Sequence, residues 1–107
     1  MYLTIKQLCH IAKNLANEAI YNVRQSYFKE KRYLNYYANW KLLSKSSSNY
    51  KKLQTHVAEQ VIQHVDAMFQ SFFGLLKLKK EGKYSQKVKL PNYLPKRWLY
   101  RVDNNRF

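Results

Sequence analysis

Apolar positions recur along the first third of the chain at the spacing of a helix. Ile5, Leu8, Ala12, Leu15, Ala19 and Val23 fall on one face, and Thr4 followed by Gln7 has the form of a capping box. This pattern predicts a helix from Thr4 to Lys31. A shorter helix follows over Asn35 to Ser44, where Tyr36, Trp40 and Leu43 share a face and Asn35 supplies a cap. Its aromatics serve as core filler with hydroxyl and indole ends at water, in preference to stacking on unpaired bases. The stretch KSSSN from Lys45 to Asn49 has the chemistry of a polar connection. Beyond it, Val57, Val61, Val65, Met68, Phe72 and Leu75 form a stripe widened by Ala58, Ile62, Phe69 and Leu76, with Thr55 as N-cap and Gly82 as terminator. Pro91 and Pro95 forbid a helix in the next segment, and KVKLP from Lys87 to Pro91 has the form of a single strand lacking an evident partner.

These elements predict an all-α fold, a small helical hairpin or bundle of two long helices and one short helix. Residues 1–82 form the helical domain, and residues 83–107 form a basic, mostly irregular arm expected to be partly mobile when free.

Charge adds a functional direction. The chain of 107 residues carries 20 Lys and Arg against 6 Asp and Glu, a net +14 that self-repels unless a polyanion neutralises it. The excess is uneven, +6 over residues 1–75 and +8 over residues 76–107. Nucleic acid is therefore the leading partner and an anionic membrane surface the second. At ~100° per residue, Lys6, Lys13, Asn17, Arg24 and Lys31 lie within ~40° of one another beside the apolar face of the first helix. Such a ridge can bind phosphate, or its long side chains can simply flank the apolar stripe. Lys77, Lys79, Lys80, Lys83, Lys87, Lys89, Lys96 and Arg97 continue the charge into the arm.

Catalytic chemistry is poorly represented. Only Glu59 and Asp66 share a helix face, ~10 Å apart along the axis, which reads as two solvated carboxylates rather than a Mg²⁺ site. Cys9, His10, His56 and His64 lack zinc-ligand spacing, and two glycines cannot build a phosphate loop. No cofactor, metal or small-molecule substrate is expected. The single cysteine, the absence of a signal-peptide pattern and the absence of a long apolar run place the chain in the cytoplasm, away from the membrane, while a homo-oligomer is compatible with its composition.

The succession IKQLCHIAKNLANEAIYNVRQSYF, YLNYYANWKLL, NYKKLQTHVAEQVIQHVDAMFQSFFGLLKLKK and KVKLPNY resembles the N-terminal region of the TnpB family, also called OrfB, over about Leu3 to Tyr93. Its most specific elements are Lys13-Asn14-Leu15 with Asn17, Arg24-Gln25, Val57 through Gln63, Ser71-Phe72-Phe73 and Lys89 through Tyr93. That family comprises transposon-encoded proteins, usually described as transposases with an N-terminal helix-turn-helix region, which act as RNA-guided DNA nucleases. The resemblance implies a recognition segment lying along guide RNA and the guide–target heteroduplex through backbone contacts. The strand that normally precedes the first helix, the barrel strands after the KLP segment, the three RuvC-like carboxylates and the four-cysteine zinc ribbon have no counterpart in these 107 residues, and WLYRVDNNRF departs from the pattern. The expectation is thus a non-catalytic, nucleic-acid-binding fragment, or a truncated or decayed reading frame. The rivals are a small standalone DNA-binding regulator and a basic amphipathic protein acting structurally or at a membrane surface.

Overall fold

The computed structural model describes residues 4–94, and every described regular element is helical. Helix α1 spans Ile5–Gln25, α2 Tyr36–Ser46, α3 Ser48–Lys52 and α4 Thr55–Lys80. The capping box forms as expected: the Gln7 amide donates to Thr4 Oγ1 at 3.1 Å and the Thr4 amide donates to Gln7 Oε1 at 2.8 Å. The α-helical hydrogen bonding stops at Gln25, earlier than the sequence pattern indicates, and one π-helical turn, Ser26–Glu30, continues to Lys31. Lys31 adopts a left-handed backbone with φ 53°, which ends the turn. Ser26 Oγ then donates to the Arg32 carbonyl at 3.0 Å and ties down the exit.

Asn35 caps α2 as read from the sequence, accepting from the Ala38 amide at 2.9 Å. The polar stretch Lys45–Asn49 is not a free connection. Only Ser47 lies outside helix: its backbone is extended, its side chain caps α3 by accepting from the Tyr50 amide at 3.1 Å, and Ser48 already begins the next helix. At α4 the N-cap position is Gln54, with no side-chain cap bond, and Thr55 is the first helical residue instead of the cap. The other end matches expectation. The Gly82 amide reaches the Lys79 carbonyl at 3.1 Å and the Lys83 amide reaches the Leu78 carbonyl at 2.9 Å, a Schellman closure that needs Gly82 at φ 77°.

The directions of the helices follow from what touches what. Asn39 Nδ2 of α2 donates to the Ala19 carbonyl at 3.2 Å, and Asn22 Nδ2 donates back to Asn39 Oδ1 at 3.0 Å. Past the end of α2, Ser47 Oγ and Asn49 Nδ2 both donate to Glu18 Oε1, at 2.7 and 2.8 Å. So α2 runs back along α1. From that point α4 sets off in the sense of α1, and Phe73 meets Tyr27 just beyond the end of α1, with ring centroids 5.5 Å apart. The all-α expectation holds, in its bundle form: the two long helices are parallel, not a hairpin, because α2 takes the return direction.

The core lies where α1, α2 and α4 meet. Ala12, Leu15, Ala19, Ile20 and Val23 pack with Leu43, Tyr50 and Leu53 and with Ala58, Val61, Ile62, Val65 and Phe69, all buried. The small residues Ala12, Ala16, Ala19 and Ala58 let the helices approach closely, and Phe69 fills the resulting space with no exposed surface. Ile5, assigned to the apolar stripe, is instead 75% exposed at the start of α1.

No described residue after Lys80 joins a strand, so Lys87–Pro91 is irregular where one strand was expected. The arm is nevertheless anchored over its described part. Leu90 and Leu94 pack against the core, and the chain runs antiparallel to α1, with Pro91 beside Arg24 and Leu94 beside Asn17. Two apolar anchors suffice because α1 supplies hydrogen bonds to the arm's backbone, which a segment without a sheet partner would otherwise lack.

Candidate nucleic-acid interface

The parallel arrangement of α1 and α4 gathers cations at one end of the bundle. Lys29, Lys31 and Arg32 lie at and after the π turn, while Lys77, Lys79 and Lys80 occupy the last turn of α4. Phe73 fixes the two ends together through its contacts with Tyr27 and with Tyr33, the latter at 5.3 Å. From Phe73 the helix continues ~10 Å to Lys80, so its last turn projects past α1. The returning arm adds Lys83, Lys87 and Lys89. All nine side chains are exposed, and the carboxylates in the same segments are Glu30 and Glu81. Glu81 pairs with Lys83 at 3.4 Å, an exposed contact worth under ~1 kcal/mol. Lysine at a helix C-terminus is favoured by the partial negative charge of the last carbonyls, which locally offsets the crowding.

The sequence-derived residues divide into two groups. Lys31, Lys77, Lys79, Lys80, Lys83, Lys87 and Lys89 belong to the exposed basic end, whereas Lys96 and Arg97 lie outside the described residues. The ridge on α1 is not an open surface. Lys13 is 7% exposed, so its expected position at the solvent is corrected to an interior one. Asn17 and Arg24 are half-buried and hold the arm. Asn17 accepts from the Leu94 amide at 2.7 Å and donates to the Leu94 carbonyl at 3.2 Å, and Arg24 Nη1 donates to the Pro91 carbonyl at 2.9 Å. Their shared angular position on α1 is thus the groove in which the arm lies. Sequence reading overlooked Lys29 and Arg32. Their signal was the basic run KEKR, which joins the exposed basic end only because the chain turns there.

Arg24 makes a further arrangement. Its guanidinium carbon sits 5.6 Å from the Phe28 ring centroid and 5.4 Å from that of Tyr93, within cation–π range of both. Phe28 is 56% exposed and Tyr93 40%.

Glu59 and Asp66 are not the solvated pair expected. Both are half-buried. The Tyr33 hydroxyl donates to the Asp66 carboxylate, and the Tyr33 pKa is raised from its ordinary 10.0, first by burial and then by this carboxylate. Burial and the neighbouring Glu59 charge likewise raise Tyr36. Tyr33 stays protonated in the folded chain where it ionises in the unfolded one, so its contribution to stability is complete below about pH 10 and declines as pH rises above it. Tyr33→Phe is expected to flatten the alkaline limb of a stability–pH profile measured by urea titration; a limb as steep as the parent's contradicts the assignment. Among the described residues, no group of three or more His, Cys, Asp and Glu is placed to hold a metal ion, and no helix is long and apolar enough to cross a membrane. Cys9 is buried with a free thiol.

A basic, all-α bundle with an anchored arm is the class this geometry defines. Over 91 aligned residues, 79% of the chain, the sequence is 34% identical to a TnpB-like protein of Acidianus two-tailed virus. The match falls in the N-terminal portion of that protein and covers 18% of its length, so the resemblance read from the sequence holds for that portion. No family model matches the chain, and no solved structure matches it.

Proposed function

We propose that this chain binds the phosphate backbone of RNA or DNA without catalysing a reaction, as a counterpart of the N-terminal recognition segment of a TnpB-like, transposon-associated protein. Residues 1–82 serve as the support, and residues 83–107 as the arm that follows the backbone. The observation that carries this reading is the set of nine exposed cations on the π turn and the residues after it, the last turn of α4 and the arm, with Glu30 and Glu81 as the carboxylates of those segments. Lysines on two helix ends and a fixed arm can neutralise several phosphates at once while reading no base edges, which gives sequence-tolerant binding. Asp66 accepts from the Tyr33 hydroxyl, and Glu59 stands ~10 Å from it along α4, which supports the non-catalytic part, since two-metal cleavage needs carboxylates converging on ions about 4 Å apart.

The test is a salt titration of binding to an RNA hairpin, an RNA–DNA hybrid and a B-form duplex. Each neutralised duplex phosphate contributes a slope of about −0.9 in log K against log salt, so engagement of five or six phosphates gives a slope near −5. Tighter binding to RNA or the hybrid than to B-form DNA is expected from the TnpB-like relationship. A flat titration on all three overturns the proposal.

A further inference from the structure

The Phe28–Arg24–Tyr93 arrangement asks for a role beyond phosphate neutralisation. Phe28 packs edge-on against Tyr27 with ring centroids 5.5 Å apart, and in addition it and Tyr93, from distant parts of the chain, both lie against one guanidinium. Arg24 is fixed by its bond to the Pro91 carbonyl, and that bond brings Tyr93 back across 69 residues of sequence to the α1 side chain it shares with Phe28. Phe28 and Tyr93 each keep a large exposed fraction, 56% and 40%. The exposed cations Lys29 and Lys89 lie in the same two segments. Flat π faces beside lysines that follow a backbone are the two elements by which proteins hold single strands: stacking gives grip on any base, and charge holds the phosphates between bases. A closed duplex presents its π faces only to its own neighbours and cannot use such rings.

We propose that Phe28, Arg24 and Tyr93 form a stacking platform for an unpaired base of single-stranded nucleic acid. This rests on the nucleic-acid reading above and specifies the part of the ligand that the platform takes. The guanidinium lies against both rings, and the base would take their exposed surface.

The experiment compares a short oligouridylate or oligothymidylate strand with a relaxed, covalently closed circular DNA duplex, which has neither ends nor loops, for the parent chain and four variants. Phe28→Ala and Tyr93→Ala are each expected to weaken single-strand binding about 5- to 100-fold, the range for one lost base stack, with an unchanged salt slope and an unchanged affinity for the circular duplex. Phe28→Tyr and Tyr93→Phe are expected to bind as the parent does, since stacking needs the ring and not the hydroxyl. Equal losses on strand and circular duplex mean that the rings only position the arm and overturn the platform, as does parental binding by both alanine variants. If the parent binds both ligands with a steep salt slope, those outcomes remove the platform alone. If the parent binds neither, the nucleic-acid reading falls and the platform with it.

Discussion

Replacing Lys79, Lys80, Lys83 and Lys87 with glutamine is expected to lower affinity for an RNA or DNA duplex by about 10³-fold at physiological salt and to reduce the salt slope by three to four. The estimate treats each lysine as one phosphate contact with a slope of about −0.9, which near 0.15 M corresponds to roughly fivefold in affinity per contact. All four side chains are exposed, and the single ion pair lost, Lys83 with Glu81, is itself exposed, so thermal unfolding of the variant should match the parent. A double variant on α1, Lys13→Gln with Arg24→Gln, acts differently. Arg24 holds the Pro91 carbonyl and Lys13 lies inside, so these changes loosen the arm and the helix packing instead of deleting phosphate contacts. They should reduce affinity less and leave the slope within about one unit of the parent's. Parental affinity and slope in the quadruple variant, measured by fluorescence anisotropy across a salt series, would show that the lysines are only a solvated run.

Phe69→Ala should destabilise the bundle by about 3–5 kcal/mol. Phe69 has no exposed surface and sits where α4 packs against the core residues of α1. Its loss leaves a cavity that rigid helices can fill only in part. For a domain whose total stability is about 5–15 kcal/mol, that is a large share, and it corresponds to a fall in Tm of roughly 15–30 °C. Leu42→Ala, by contrast, removes a side chain that is 52% exposed on the outer face of α2 and should change stability by under about 0.5 kcal/mol. Urea unfolding of the two variants side by side checks both numbers; similar midpoints would mean that the core is not centred on Phe69.

What the sequence made legible was whatever repeats or caps locally. The Thr4–Gln7 box, the Asn35 cap, the Gly82 closure and the buried stripe of α4 each involve residues within a few positions of one another, and each appears where the pattern placed it. Periodicity identifies a face of a helix but not the neighbour that will cover it. Lys13, Asn17 and Arg24 share a face, and nothing local distinguishes a face awaiting phosphate from one awaiting the chain's own backbone 77 residues later, as for Asn17 and Leu94. The same limit hid the parallel course of α1 and α4. The turn between α2 and α4 is tied to α1 through Glu18, which accepts from Ser47 and Asn49 and in the sequence looks like any surface charge. The basic run after α1 was invisible as part of the exposed basic end for the same reason, since its proximity to the end of α4 is made by Phe73 and Tyr27.

The anchoring of Leu94 to Asn17 also sets an order of assembly. Closing a 77-residue loop in an unstructured chain costs about 4 kcal/mol of entropy, more than the two hydrogen bonds of Asn17 return. Once the bundle exists, α4 has already delivered the chain to the far end of α1, and only the stretch from Glu81 to Leu94 remains to be closed. The arm therefore docks after the helices and comes away before them. During synthesis the groove of α1 stands open until the last part of this segment leaves the ribosome, and for that interval the surface that later carries the arm is available to any other extended chain.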